Sequence, residues 1–115
     1  MTEITLRRVY DGVPPGWHPI LVDRIWPRGV SKADLPATWL KEVAPSTELR
    51  RWFGHDPEKF EEFAERYRRE LEGSEAFQEL VADVRAHERV VLLYSARDTE
   101  HNQAVVLADL LREHP

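Results

Sequence analysis

The stretch RVVLLYSARDTEHNQAVVLADLL, residues 89–111, decides how the rest of the chain reads. Val90 to Tyr94 form an unbroken apolar run, which predicts a strand buried on both faces. Apolar residues then resume at helical spacing, predicting a helix that Asp98 caps and that runs to about Arg112. Between strand and helix stand Ser95, Arg97, Asp98, Glu100, His101 and Asn102. A short strand-to-helix connection needs only a few turn residues and one cap. The surplus of polar groups marks a candidate site.

Working outward, EITLRRVY (residues 3–10) and HPILVDRIW (residues 18–26) read as two more strands. The Ile20-Leu21-Val22 run is again continuous enough for burial on both faces. Gly12, Pro14, Pro15 and Gly16 make the segment between them a loop. Residues 27–39 are irregular, with one short turn capped by Ser31. Residues 37–57 hold two short helical pieces broken at Pro45, the second begun by Ser46 and stopped near Gly54.

Asp56-Pro57 then places a cap before a proline at the first helical position. Phe60, Phe63, Ala64, Tyr67 and Leu71 follow as one buried helical stripe, and Phe77, Leu80, Val81 and Val84 as a second after Gly73-Ser74. Strands separated by helices predict a small α/β layer fold, with a central, mainly parallel sheet of about three strands covered by helices. Residues 1–115 form one domain, too short for two cores. In such folds ligands bind beyond the carboxyl ends of the strands, where Asp23-Arg24 and Ser95-Arg97-Asp98 both fall.

Composition narrows the function. Hydrophobic residues make up 42% and charged residues 32%, as in ordinary globular proteins. No apolar run approaches the ~18 residues of a membrane span, and the first residues lack the apolar core of a signal peptide. With no cysteine, disulfides, thiol catalysis and thiolate metal sites are excluded, which fits a cytoplasmic home. Residues 1–57 carry eight Lys/Arg against seven Asp/Glu, and residues 58–115 eight against fourteen. That acidic excess disfavours duplex nucleic acid but leaves room for a small anion held by local arginines.

Several side chains then qualify for chemistry. Asp23 follows a buried run, so Arg24 or Arg28 is expected to pair with it, either over a ligand or as a structural ion pair. Lys41, Arg50 and His55 lie among Trp39 and Trp52, where a guanidinium could stack on a ring, although Trp52 shares a helical face with Leu49 and reads first as core. Arg97 offers a planar fork for phosphate or carboxylate beside the free amides of a helix start. Ser95 and Asn102 are further ligand contacts; Ser95 lacks the G-x-S-x-G elbow of a hydrolase. Asp23 and His101 are the candidate acid–base pair. The histidines show no metal-ligand spacing, and no Walker or G-x-G-x-x-G loop is present, so no metal or cofactor is indicated.

Three stretches together carry a family resemblance: VDRIWPRG (22–29), WLKEVAPSTELRRWFGHDPEKFEEF (39–63) and LLYSARDTEHNQAVVL (92–107). In order and spacing the chain resembles the YeaO-like branch of the domain-of-unknown-function family numbered 488. The matching positions include Asp23, Arg24, Trp26, Arg28, Trp39, Lys41, Ser46, Trp52, His55, Tyr94, Arg97, Asp98, His101 and Asn102. The resemblance implies a compact α/β fold and a cytoplasmic location, and brings no reaction with it. Other branches place a cysteine at the end of the last strand and Cys-His-Arg on the next helix; here Ser95 and Glu100-His101-Asn102 stand there, which speaks against a thiol mechanism.

The leading expectation is therefore a protein that binds or acts on a small anionic ligand, nucleotide- or nucleobase-like. Arg24, Arg28 and Arg97 would grip the anion. The alternative is a non-catalytic interaction or regulatory module whose polar motifs form a structural hydrogen-bond network. Single-stranded nucleic acid is a weaker third reading, opposed by the net charge.

Overall fold

The computed structural model describes residues 2–113. Four strands, β1 (Glu3–Arg8), β2 (His18–Leu21), β3 (Thr38–Trp39) and β4 (Arg89–Tyr94), form one parallel sheet in the order β1-β4-β2-β3. The continuously apolar β4 lies inside it, with Leu92 opposite Leu6 on one side and Ile20 on the other. The sheet has one strand more than the expected three. β3 pairs through only Thr38 and Trp39, too few residues to show a strand period in the sequence.

Alternation across the pleat divides the interior in two. Ile20, Val22, Val90, Leu92 and Tyr94 face the helices, and Leu21, Val91 and Leu93 face the other way. The helices α1 (Thr47–Phe53), α2 (Phe60–Leu71), α3 (Glu75–Arg85) and α4 (Gln103–Glu113) all send their buried residues to the first face. The second face is covered by loops bearing Val9, Leu35, Trp17 and Trp26, with Trp39 of β3 beside them. Loop tryptophans do there what a second helical layer does in larger α/β folds.

The local signals act as chemistry requires. Ser46 Oγ accepts from the Leu49 amide at 3.1 Å to start α1, and Gly54, at φ +53°, ends it in the left-handed conformation. Ser74 Oγ caps α3 through the Phe77 amide at 3.2 Å. Asp56 caps a single 3₁₀ turn, Pro57–Lys59, that leads into α2. The first of the two expected helical pieces is only the 3₁₀ turn Lys41–Val43, because β3 takes up the residues before it. Along the two stripes Phe63, Tyr67, Leu71, Leu80 and Val84 are buried, while Phe60, Ala64, Phe77 and Val81 are partly covered at the core's edge. Tyr67 donates its buried hydroxyl to the Val43 carbonyl at 2.5 Å, fastening α2 to the loop after β3.

β1 and β2 end at Arg8 and Leu21, short of the expected residues 10 and 26, and the start of α4 also differs from expectation. Asp98 does not cap α4; its Oδ1 accepts from the amides of Glu100 and His101 at 2.9 and 3.0 Å, closing a separate turn. The helix starts at Gln103, capped by Asn102, whose Oδ1 accepts from the Val105 amide at 3.1 Å. Both residue types cap well, and Asn102 stands immediately before Gln103, the first residue of the helix.

Phe63 stacks on Phe53 at 4.2 Å between ring centres. Phe63→Ala should therefore cost about 3–5 kcal/mol in denaturant unfolding, and Phe77→Ala, at the core's edge, clearly less. Equal losses would show that the α2 stripe is not the core's anchor.

Candidate functional site

All strands are parallel, so their carboxyl ends lie at one end of the sheet. There β2 runs into Asp23 and β4 into Ser95, side by side because the Val22 amide donates to the Leu93 carbonyl at 3.1 Å. A cavity of about 660 Å³ opens at this end. Asp23, Ser95 and Gln103 line it, together with Phe53 and Phe63 and the cations Arg24, Arg50 and Arg97.

Asp23 is only 7% exposed. Its Oδ2 accepts from the Ser95 amide at 3.0 Å and the Ser95 hydroxyl at 2.6 Å, and its Oδ1 from the Gln103 side-chain amide at 2.6 Å. Its backbone carbonyl accepts from the Trp39 indole at 2.7 Å. One residue thus joins the ends of β2, β3 and β4 to the first turn of α4. Burial pushes the Asp23 carboxyl above the usual aspartate value of 3.8, against the opposing pull of its Ser95 and Gln103 hydrogen bonds and of the Arg50 charge. The protonated form therefore favours the folded state; its contribution is full below the ordinary value and is lost as pH rises through the raised one.

The expected ion pair with Asp23 does not form. Arg24 turns to the loop before α1, donating to the Pro45 and Ala44 carbonyls at 3.3 and 3.1 Å, with Glu42 at 3.8 Å. Arg28 is exposed and off the cavity; its carbonyl accepts from the Tyr10 hydroxyl at 3.0 Å. Lys41 is also outside, its ammonium 5.4 Å from the Trp39 ring centre. Arg97 is exposed at the cavity wall and, among the described residues, makes no ion pair or side-chain hydrogen bond.

His101 does not line the cavity. Its Nδ1 lies 2.9 Å from Asp98 Oδ2 and its ring meets Phe60 edge-on at 5.2 Å. It therefore does not form a pair with Asp23. Asn102 reaches the wall, but its amide is used locally, donating to the Asp98 carbonyl at 2.8 Å while capping α4. Asp98 is held below the usual aspartate value by the Glu100 amide and the His101 side chain. Its contribution has the opposite sign to that of Asp23: present above the ordinary value and lost as pH falls through the lowered one. The amides of the YSARDTEHN turn are thus partly used by the chain's own side chains.

Gln103, Phe53 and Phe63 line the cavity without having been read from the sequence as candidates for the site. Gln103 looks like any first-turn residue until folding brings it to Asp23. Phe53 and Phe63 carry only the signal of core positions; Arg50, read from the sequence as a cation able to stack on a ring, lines the cavity. Arg8, at the end of β1, supports the floor from behind by donating to the Ala96 and Ser95 carbonyls at 3.0 and 3.3 Å.

Residues 3–114 match the family model described as the inactive DUF488-N3 subclade. The chain belongs to this family. It is 44% identical over 112 residues to the uncharacterised protein YeaO of Escherichia coli (strain K12), covering 96% of this chain and 97% of that protein. An uncharacterised protein of Mycobacterium tuberculosis (strain ATCC 25618 / H37Rv) is 43% identical over 112 residues, 96% of this chain and 94% of its own length. No solved structure matches the chain. Among the described residues no helix is long and apolar enough to cross a membrane.

In Asp23→Asn, the side-chain oxygen can still accept from Ser95, and the amide can face Gln103 once that amide turns over. This variant should lose less than about 1 kcal/mol in denaturant unfolding at neutral pH. Asp23→Ala strands the Ser95 and Gln103 donors and should lose about 2–4 kcal/mol. Equal losses would show that the bridge does not depend on the acceptor oxygens.

Proposed function

We propose that this protein is a cytoplasmic binding domain for a small anionic ligand with a planar, nucleotide- or nucleobase-like body, held at the carboxyl ends of the strands. One observation carries the reading: Arg50 and Arg97 both line the cavity and, among the described residues, neither has an ion-pair or side-chain hydrogen-bond partner. Guanidiniums left open beside a concave surface suit a phosphate or carboxylate. Phe53, Phe63 and Pro45 offer an apolar wall for a flat ring, and His55 adds a further polar contact at the rim. Asp23, committed to three donors, sets the shape of the floor.

Binding is favoured over turnover. The acid–base partner expected for Asp23 is His101, which faces Asp98 and Phe60 outside the cavity. The word inactive in the family's description agrees with a site that recognises a ligand without transforming it. A second reading has its own support. The complete satisfaction of Asp23 by Ser95 and Gln103 is what a purely structural network in an interaction module would also show.

Calorimetric titration with a nucleoside 5′-monophosphate and with inorganic phosphate separates the two. Arg97→Gln should weaken nucleotide binding about 10- to 150-fold, the value of one charge-assisted contact, and Arg50→Gln similarly. Both should leave unfolding stability within about 1 kcal/mol, as expected for exposed side chains. No heat of binding from either probe, or equal binding by both variants, would remove the ligand-binding reading and leave the structural one.

A further inference from the structure

The opposite end of the sheet holds a second cluster, unconnected with the cavity. His18 opens β2, Asp83 lies in the last turns of α3, and His87 follows that helix two residues after its end. One donor atom from each falls within 4.8 Å of the others. His18 Nε2 stands 2.9 Å from Asp83 Oδ2, and the two imidazoles stack at 3.6 Å between centres, 5° from parallel. All three are half-buried, with side chains 21%, 27% and 38% exposed for His18, Asp83 and His87.

We propose that His18, Asp83 and His87 form a site for a divalent transition-metal ion, with zinc as the type case. Two imidazoles and one carboxylate are the borderline donor set that such ions prefer over calcium or magnesium. Donors around tetrahedral zinc sit about 3.3 Å apart, as follows from metal–ligand bonds of about 2.0–2.1 Å. The His18–Asp83 separation needs only a few tenths of an ångström to reach that, the ion replacing the proton now shared between Nε2 and Oδ2. A carbonyl cannot donate, so the 2.8 Å contact of His87 Nδ1 with the Asp83 carbonyl fixes the Nδ1–H tautomer and leaves a lone pair on Nε2.

Parallel rings cannot both aim in-plane lone pairs at one ion, so binding requires the more exposed His87 ring to turn out of the stack, exchanging its contact with the Asp83 carbonyl for the metal bond. The backbone beneath it is held, since Thr2 Oγ1 contacts the carbonyls of Val84 and His87 at 3.0 and 2.9 Å. The ion would then tie the start of β2 to the end of α3, with the remaining position open to water or a further ligand.

Purified chain freed of metal and titrated with Co²⁺ tests this through the visible absorption of the bound ion, and Zn²⁺ competes for the same site. The expected result is one ion per chain, a rise in thermal unfolding temperature with Zn²⁺, and loss of the His18–His87 ring-current shift in proton NMR. His18→Ala, Asp83→Asn and His87→Ala should each weaken binding by at least about tenfold, while His101→Ala binds as the parent does. Should His18→Ala fail to fold, His87→Ala, which removes the most exposed of the three, decides. No Co²⁺ absorption at millimolar metal, or undiminished binding by His87→Ala and Asp83→Asn, would overturn the site.

Discussion

A buried carboxylate must be compensated, and the way Asp23 is compensated organises the end of the sheet where the cavity opens. Taking a carboxylate out of water costs several kcal/mol unless strong donors replace the lost hydration. Here the donors come from two segments distant in sequence, Ser95 after β4 and Gln103 at the start of α4. The Trp39 indole holds the same residue's carbonyl from β3. The cavity floor is therefore fixed by polar chemistry rather than by apolar packing alone. No arginine forms an ion pair with Asp23, although the Arg50 charge acts on it from the wall, and Arg50 and Arg97 keep their guanidiniums free of ion pairs there.

The two ends of the parallel sheet consequently differ in character. The carboxyl ends gather cations, an apolar wall and one enclosed carboxylate. The amino ends gather the His18, Asp83 and His87 side chains. Between them the apolar β4 and its neighbours make a rigid spacer, with helices on one face and tryptophan-bearing loops on the other. Both clusters are assembled from an element end on the sheet and an element end on the helical layer.

How much of this the sequence discloses follows from the range over which each signal acts. β4 and β2 are legible because burial on both faces leaves an uninterrupted apolar run, and the α2 stripe because its period is carried by twelve residues of one helix. β3 is not, since two residues hold no period. The start of α4 is misplaced because Asp98 and Asn102 are equally good caps, and only the fold shows that Asp98 closes a turn of its own. Asp23, Ser95 and Arg97 were recognisable as strand-end polar groups; Arg28 and His101 shared that local signal yet point elsewhere. Gln103 and the His18–Asp83 contact had no local signal, being made across 80 and 65 positions of chain.

The account rests on Asp23 being a buried acceptor shared between strand and helix. Its carboxyl carbon, followed by ¹³C NMR through an acid titration, tests that most directly. The account predicts a midpoint above the ordinary aspartate value of 3.8, with the Ser95 amide proton shifting at the same pH. A Ser95 amide indifferent to the Asp23 transition would contradict it.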